Sequence, residues 1–351
     1  MDLTAIYNAF GLDRMQSGME SLFPDFEMPF AELFSMLLQG KIMDMLGVFV
    51  KSIWQQAGTQ IVSYKNIFVT LLLLGVLSAL MNHFVEIFDQ HQVADLCFYF
   101  LYLCMVAVLL QCFWETGEIC TGLMENVVAF ARLLLPAYLL AVGAAGNTIA
   151  VGTYYQVFLL LIVIVEEILF RLLVPMIYGY CLLSVVNSIW AEEKLGLFIE
   201  FTGKIIEWIL KAVLGIVTGL SAFQTILAPV LTSVQNGLWK KLASAIPGVG
   251  NMAGGVLELL FGSAMIIKNT AGLILLLLLL FLGAVPLGRI FLTALILKGA
   301  AAFLGIISDK RVSLCTDRAG NAAMLLFKTA GTSVLLFFVS IAMLAVSGGG
   351  S

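Results

Sequence analysis

The sequence predicts an all-α, polytopic integral membrane protein with about eight to ten transmembrane helices. Three observations point there. Of 351 residues 61% are hydrophobic, only 11% are charged, and the mean hydropathy is +1.05. A soluble domain carries about twice that share of charge, and a disordered chain needs few apolar residues and high net charge. Lys plus Arg number 18 against 22 Asp plus Glu, a net charge of -4. With no basic excess to neutralise phosphates, nucleic acid is excluded as a partner.

The elements follow in chain order. Residues 1–60 read as N-terminal amphipathic helices. Pro24 and Pro29 punctuate their start, then Phe30, Leu33, Phe34, Leu37 and Leu38 recur at helical spacing, and Met45, Leu46, Phe49, Ile53 and Trp54 resume the stripe. Such helices lie on a bilayer or pack on a partner. The start carries Asp2 and no apolar core behind a basic segment, so no secretory signal is expected in it. A first group of about five spans occupies 61–190. Its runs are Ile67–Met81, Leu96–Trp114, Asn126–Gly146, Thr148–Val165 and Leu172–Trp190. The short charged break between the last two predicts a helical hairpin.

Residues 191–212 read as an interfacial amphipathic helix. Phe198, Phe201, Ile205, Trp208 and Ile209 form its apolar face. Glu200, Lys204, Glu207 and Lys211 form the other, with two Glu-to-Lys pairs at i, i+4. The second transmembrane group, 213–347, begins with Val213–Leu231. It contains a Gly-rich segment, 247–269, and the runs Asn269–Leu287 and Ile290–Ile307. A charged loop from Asp309 to Arg318 precedes the last span, and 348–351 form a flexible tail. The distribution of Lys and Arg favours Met252–Ile267 as re-entrant, with the N-terminus cytoplasmic.

Charge inside a span is costly and marks function by default. Arg132 lies mid-run, and Glu166 and Glu167 end the fourth run; an ion pair between neighbouring spans accounts for all three. Lys298 sits eight residues into its run, where it snorkels, lines a pore or pairs with Glu258. Lys268, near the end of the Gly-rich segment, is a further candidate for buried charge or pore lining. There, Pro247, Gly248, Gly250, Gly254, Gly255 and Gly262 suit either close helix packing, through Gly250-x-x-x-Gly254, or a re-entrant break. Cys97, Cys104, Cys112, Cys120, Cys181 and Cys315 form no CxxC pair and read as small buried hydrophobes.

Catalytic sets are missing. HExxH is absent, Gly219-Leu220-Ser221-Ala222 lacks the second glycine of an intramembrane serine site, and no run contains an aspartate. No nucleotide loop appears. The chain is expected to be no enzyme and to hold no cofactor or metal.

The block Ala243-Ser244-Ala245-Ile246-Pro247-Gly248-Val249-Gly250 continues through Gly254, Gly262-Ser263 and Ile266-Ile267-Lys268-Asn269. Together with Pro286, Leu297-Lys298, Ala300-Ala301-Ala302 and Ser308-Asp309-Lys310-Arg311, it resembles the stage III sporulation protein AE family. The resemblance is specific from about Ser221 onward and matches in span layout from Ile61. Members often begin with a secretory signal, which is not expected in this start, and tend to have a proline just before the turn at Ser308, where this chain reads Leu304-Gly305-Ile306-Ile307. The resemblance implies a subunit of a sporulation-specific transenvelope secretion or channel complex, in the mother-cell membrane around the forespore. Its implied partners are other stage III membrane proteins, including an ATPase and ring-forming subunits, and the lipid bilayer. A stand-alone secondary transporter, with Arg132, Glu166, Glu167 or Lys298 as ligands, is the alternative.

Overall fold

The computed structural model describes the backbone over 61–88, 91–144, 159–188, 194–216, 218–219 and 252–347, with isolated positions at 32–51 and at 156. Side chains at 61–64, 82–95, 134, 137, 140–144, 252–268 and 343–347 fall outside the description. Every long element is helical, and no strand occurs among the described residues. We label them α1 (Ile61–Phe88), α2 (His91–Ala144), α3 (Val174–Asn187), α4 (196–216), α5 (Met252–Ile307) and α6 (Lys310–Ser347).

Several breaks expected from charge are not breaks. Leu96–Trp114 and the run from Asn126, as far as Ala144, share α2, because Glu115, Glu118 and Glu125 are good helix formers that interrupt hydropathy without interrupting hydrogen bonding. The expected hairpin at Glu166–Arg171 is instead continuous. Helix at 159–163 passes into a π-helix, Ile164–Leu173, and then into α3. Pro175 supplies a physical reason. It has no N–H for the carbonyl of Arg171, and its ring would crowd that carbonyl in an α-helix. The wider π turn relieves the clash, and the Val174 N–H donates to Leu169 O, five residues back.

The C-terminal half is corrected in the same way. Asn269–Leu287 and Ile290–Ile307 lie on one helix, α5, which also carries Met252–Lys268 in regular α form with no reversal. Residues 247–251 lie outside the described residues. The charged loop expected from Asp309 to Arg318 shrinks to Ser308 and Asp309, since Asp309 caps α6. Its Oδ1 accepts the Arg311 N–H at 2.8 Å, and its carbonyl accepts the Val312 N–H at 3.0 Å.

Among the described residues three helices are long and apolar enough to cross a membrane: Leu96–Leu133, Asn269–Ile307 and Lys310–Ala342, of 38, 39 and 33 residues. Lys65–Met81 is a shorter apolar helix. At 1.5 Å per residue the long ones reach about 50–58 Å, against a hydrocarbon core of about 30 Å. α5 and α6 form an antiparallel hairpin around the Ser308–Asp309 turn. Its register is set where Gly305 meets Ser313, Gly320 meets Lys298, and Gly283 meets Val334. α2 packs into this hairpin through Leu109, Val127, Phe130 and Tyr138, all fully buried. On the turn side α1 crosses closely, and a Cβ on Gly75 would overlap the Leu304 side chain.

α4 departs from the expected amphipathic assignment. Its packed face is Ile199, Ile206, Leu210 and Val213, with Gly203 against the Tyr180 ring. Phe198, Phe201 and Trp208 are exposed at 55%, 60% and 79%. The helix is apolar on more than one stripe, so its neighbours decide which stripe packs.

A candidate polar site inside the apolar bundle

The α5–α6 hairpin carries a half-buried polar cluster near the turn. Lys298 Nζ donates to Asp317 Oδ1 at 2.9 Å, and Asn321 Nδ2 donates to Asp317 Oδ2 at 3.0 Å. Both carboxylate oxygens are therefore engaged. Gly320 makes room: a Cβ there would sit 3.0 Å from Lys298 Cγ and 3.3 Å from Lys298 N. Ser313 Oγ donates to Ala301 O at 2.9 Å, one turn nearer the loop.

α3 and α2 extend the cluster. Arg318 Nη1 donates to Ser184 O at 3.3 Å, and Tyr102 OH donates to Val185 O at 3.2 Å. Asn187, fully buried, accepts the Leu195 N–H on Oδ1 at 3.0 Å and thereby ties α4 to the end of α3. Each of these bonds satisfies a polar group that lipid would leave unpaired.

A second set of charges lies on the outer side of α2 and the π segment. Arg132 Nη2 meets Glu166 Oε1 at 2.5 Å, and Arg171 Nη1 meets Glu167 Oε1 at 2.9 Å. The anticipated pair between neighbouring helices is thus Arg132–Glu166, while Glu167 takes an i, i+4 partner of its own. On α4, Lys204 Nζ contacts Glu200 Oε1 at 2.6 Å. The expected second pair of that helix does not form as written, because Glu207 takes Lys328 of α6 at 2.5 Å. That lysine's hydrogen bond and charge hold the Glu207 carboxyl below the usual carboxylate range. Lys204 does the same to Glu200.

Lys298 therefore pairs with Asp317, which lies on α6 and not in a charged loop. The missed signal is the spacing Ser313, Thr316–Asp317, Gly320–Asn321, which repeats at helical period once Asp309 is recognised as a cap. The described part of α6 does contain an aspartate at span depth. Gly254, Gly255, Gly262, Glu258 and Lys268 lie on the described backbone of α5, but their side chains fall outside the description. Pro247, Gly248 and Gly250 lie outside the described residues altogether. All six cysteines are free; Cys112, Cys120, Cys181 and Cys315 are buried, and Cys97 and Cys104 are half-buried. Among the described residues no group of His, Cys, Asp and Glu is arranged to hold a metal ion.

The sequence model of the stage III sporulation protein AE family matches residues 28–348. The chain belongs to the stage III sporulation protein AE family. A curated relative, the stage III sporulation protein AE of Bacillus subtilis (strain 168), is 21% identical over 301 residues, covering 86% of this chain and 75% of that protein. No solved structure matches. As a member of this family with three helices of membrane-spanning length and composition, the chain is a sporulation membrane protein.

Proposed function

We propose that this chain is a membrane subunit of a sporulation-specific transenvelope secretion or channel complex, placed multi-pass in the mother-cell membrane around the forespore and needed for late forespore development. The observation that carries the reading is the family match across 28–348. The arrangement of charge supports it. Arg132–Glu166 and Glu167–Arg171 are exposed on the outside of apolar helices, where lipid is a poor partner and protein or water a good one. Its role is assembly and passage, not bond chemistry, and it requires no cofactor. Its partners are the bilayer and other stage III membrane proteins, an ATPase and ring-forming subunits among them.

The test is purification of the tagged full chain from sporulating cells, together with a deletion strain scored for spore yield. Co-purification of an ATPase and small membrane proteins, with late forespore expression lost in the deletion, is the expected result. Normal sporulation without the gene would overturn it. The alternative, a stand-alone solute transporter, draws on the Lys298–Asp317–Asn321 cluster inside the hairpin. Solute uptake by liposomes containing this chain alone would select it.

A further inference from the structure

One level of the bundle carries charge or aromatic rings on five helices. Contacts fix that level. Phe291 of α5 meets Phe327 of α6 with ring centroids 5.2 Å apart, and Gly331 of α6 faces Leu287 of α5, so Arg289 and Lys328 lie at the same height. Lys328 pairs with Glu207 of α4 at 2.5 Å, beside Trp208. Cys120 Sγ of α2 approaches Leu326 O at 3.6 Å, with Glu115 and Glu118 just before it. Trp114 rests on Tyr178 of α3 with ring centroids 5.4 Å apart. Trp114 and Trp208, the two tryptophans among the described residues, both belong to this girdle and are 59% and 79% exposed. Trp and Tyr gather where a membrane meets water, because the ring is apolar and its N–H or O–H stays wet.

A second polar level lies at the hairpin turn, with Asp309, Lys310 and Arg311, and with Lys194 where the chain passes from α3 to α4. From Ser308 back to Arg289, α5 covers about 28 Å, close to the hydrocarbon thickness of about 30 Å. The outer surface between the two levels is apolar on four helices. Leu73 of α1, Phe100 and Leu103 of α2, Leu182 of α3, and Leu295 and Phe303 of α5 are each more than half exposed. Lys298, Asp317 and Arg318 lie in this layer but are half-buried and bonded within the bundle. The exposed charges described there are Lys65, whose stem allows snorkelling, and the Glu200–Lys204 pair, whose members neutralise each other.

Beyond the girdle the pattern inverts. The strongest apolar run turns inward: Ile274, Leu275, Leu278 and Leu279 of α5 are at most 1% exposed, as are Leu336 and Phe337 of α6. Their hydrophobicity serves the core of the bundle. Outward, α2 and the π segment present Glu125, the Arg132–Glu166 pair and the Glu167–Arg171 pair, and α4 presents Lys211. Hydrocarbon is a poor medium for such groups. Nor can the whole bundle be submerged, because a helix of about 57 Å tilted by about 40°, the upper end of the observed range, still rises about 44 Å.

We infer that the hydrocarbon core of the bilayer surrounds only the half of the bundle between the hairpin turn and the girdle. The other half, about 30 Å of helix from Gly288 back to Asn269, stands clear of lipid. The inference rests on the membrane placement in the proposed function and adds that partners without spans of their own can reach the projecting half.

The test uses the full chain in nanodiscs whose phospholipids carry a nitroxide on the acyl chain. In a Cys97→Ala, Cys104→Ala background, a polarity-sensitive fluorophore is attached to Leu103→Cys, Leu295→Cys, Leu280→Cys or Leu335→Cys. Circular dichroism on each variant checks that the helices persist. Fluorophores at 103 and 295 should lose most of their emission to the nitroxide, and those at 280 and 335 should keep most of theirs. A membrane-impermeant charged maleimide should reverse the order, reacting roughly tenfold faster with Leu280→Cys than with Leu295→Cys, because the reactive thiolate forms in water and not in lipid. Equal quenching at the four positions, stronger quenching at 280 and 335, or equal labelling would each overturn the inference. Any of these results alongside co-purification of the ATPase and lost spore yield in the deletion would leave the proposed function standing. Normal sporulation without the gene, with the expected quenching, would do the opposite.

Discussion

Removing one member of the Lys298–Asp317 pair should cost more than removing both. Lys298 lies nine residues before the end of α5, about 13 Å along the helix from the turn, farther than its four-carbon stem reaches toward water. With Asp317→Leu its ammonium has no carboxylate in reach, and an unpaired lysine at span depth costs about 2.5–3.5 kcal/mol. The two side chains are 37% and 41% exposed, which discounts that figure for screening to about 1–2 kcal/mol. Lys298→Met strands Asp317 with Asn321 alone and should cost a similar amount. The double variant, Lys298→Met with Asp317→Leu, replaces the pair by apolar groups of like volume and should recover most of the loss. The assay is thermal unfolding in a mild detergent followed by size-exclusion of the remaining protein. With roughly 2–4 °C per kcal/mol for a chain of this order of size, each single variant should melt several degrees low and the double close to wild type. A double variant that falls by the sum of the singles would refute the coupling, and with it the structural role of the pair.

Three further outcomes are expected. Gly320→Val should destabilise by about 1–3 kcal/mol through overpacking against the Lys298 backbone, seen as a lower melting temperature. Gly299→Ala, where a Cβ meets nothing within 4 Å, is the control and should not. Pro175→Ala should let the π segment relax to α and rotate Glu166 away from Arg132. A short bis-maleimide should then link Arg132→Cys to Glu166→Cys with Pro175 present and fail with alanine in its place. The Glu207 carboxyl is held low by Lys328, so its contribution to stability is present above the unfolded value of about 4.3 and lost as pH falls through the lower folded value. The melting difference between wild type and Glu207→Gln should be flat from about pH 8 to 5 and shrink below about pH 4.

Composition alone was enough to place the chain in lipid and to make it helical, because 61% hydrophobic residues with 11% charge leave few other states. The residues at Pro247–Gly250 and Ser308–Arg311 carried the family. The Arg132–Glu166 pair was also legible, since two opposite charges at span depth need each other. Lys298 was legible as charge within an apolar run, but its partner Asp317 was not.

What escaped the sequence shares one cause. Charge interrupts a hydropathy profile but not a ladder of backbone hydrogen bonds, so Glu115, Glu166 and Arg289 marked ends that do not exist, and the Asp309–Arg318 charges hid a helix. Likewise α4 carries apolar residues on more than one stripe. The fit of Gly203 to Tyr180 and of Glu207 to Lys328 chose Ile199, Ile206 and Leu210 for the interior. The sequence by itself determined that these helices form and that they prefer lipid, because both follow from local propensity and summed transfer energy. Tertiary structure alone decided which stripe packs and which ions meet across helices, because both depend on residues far apart in the chain arriving at one place.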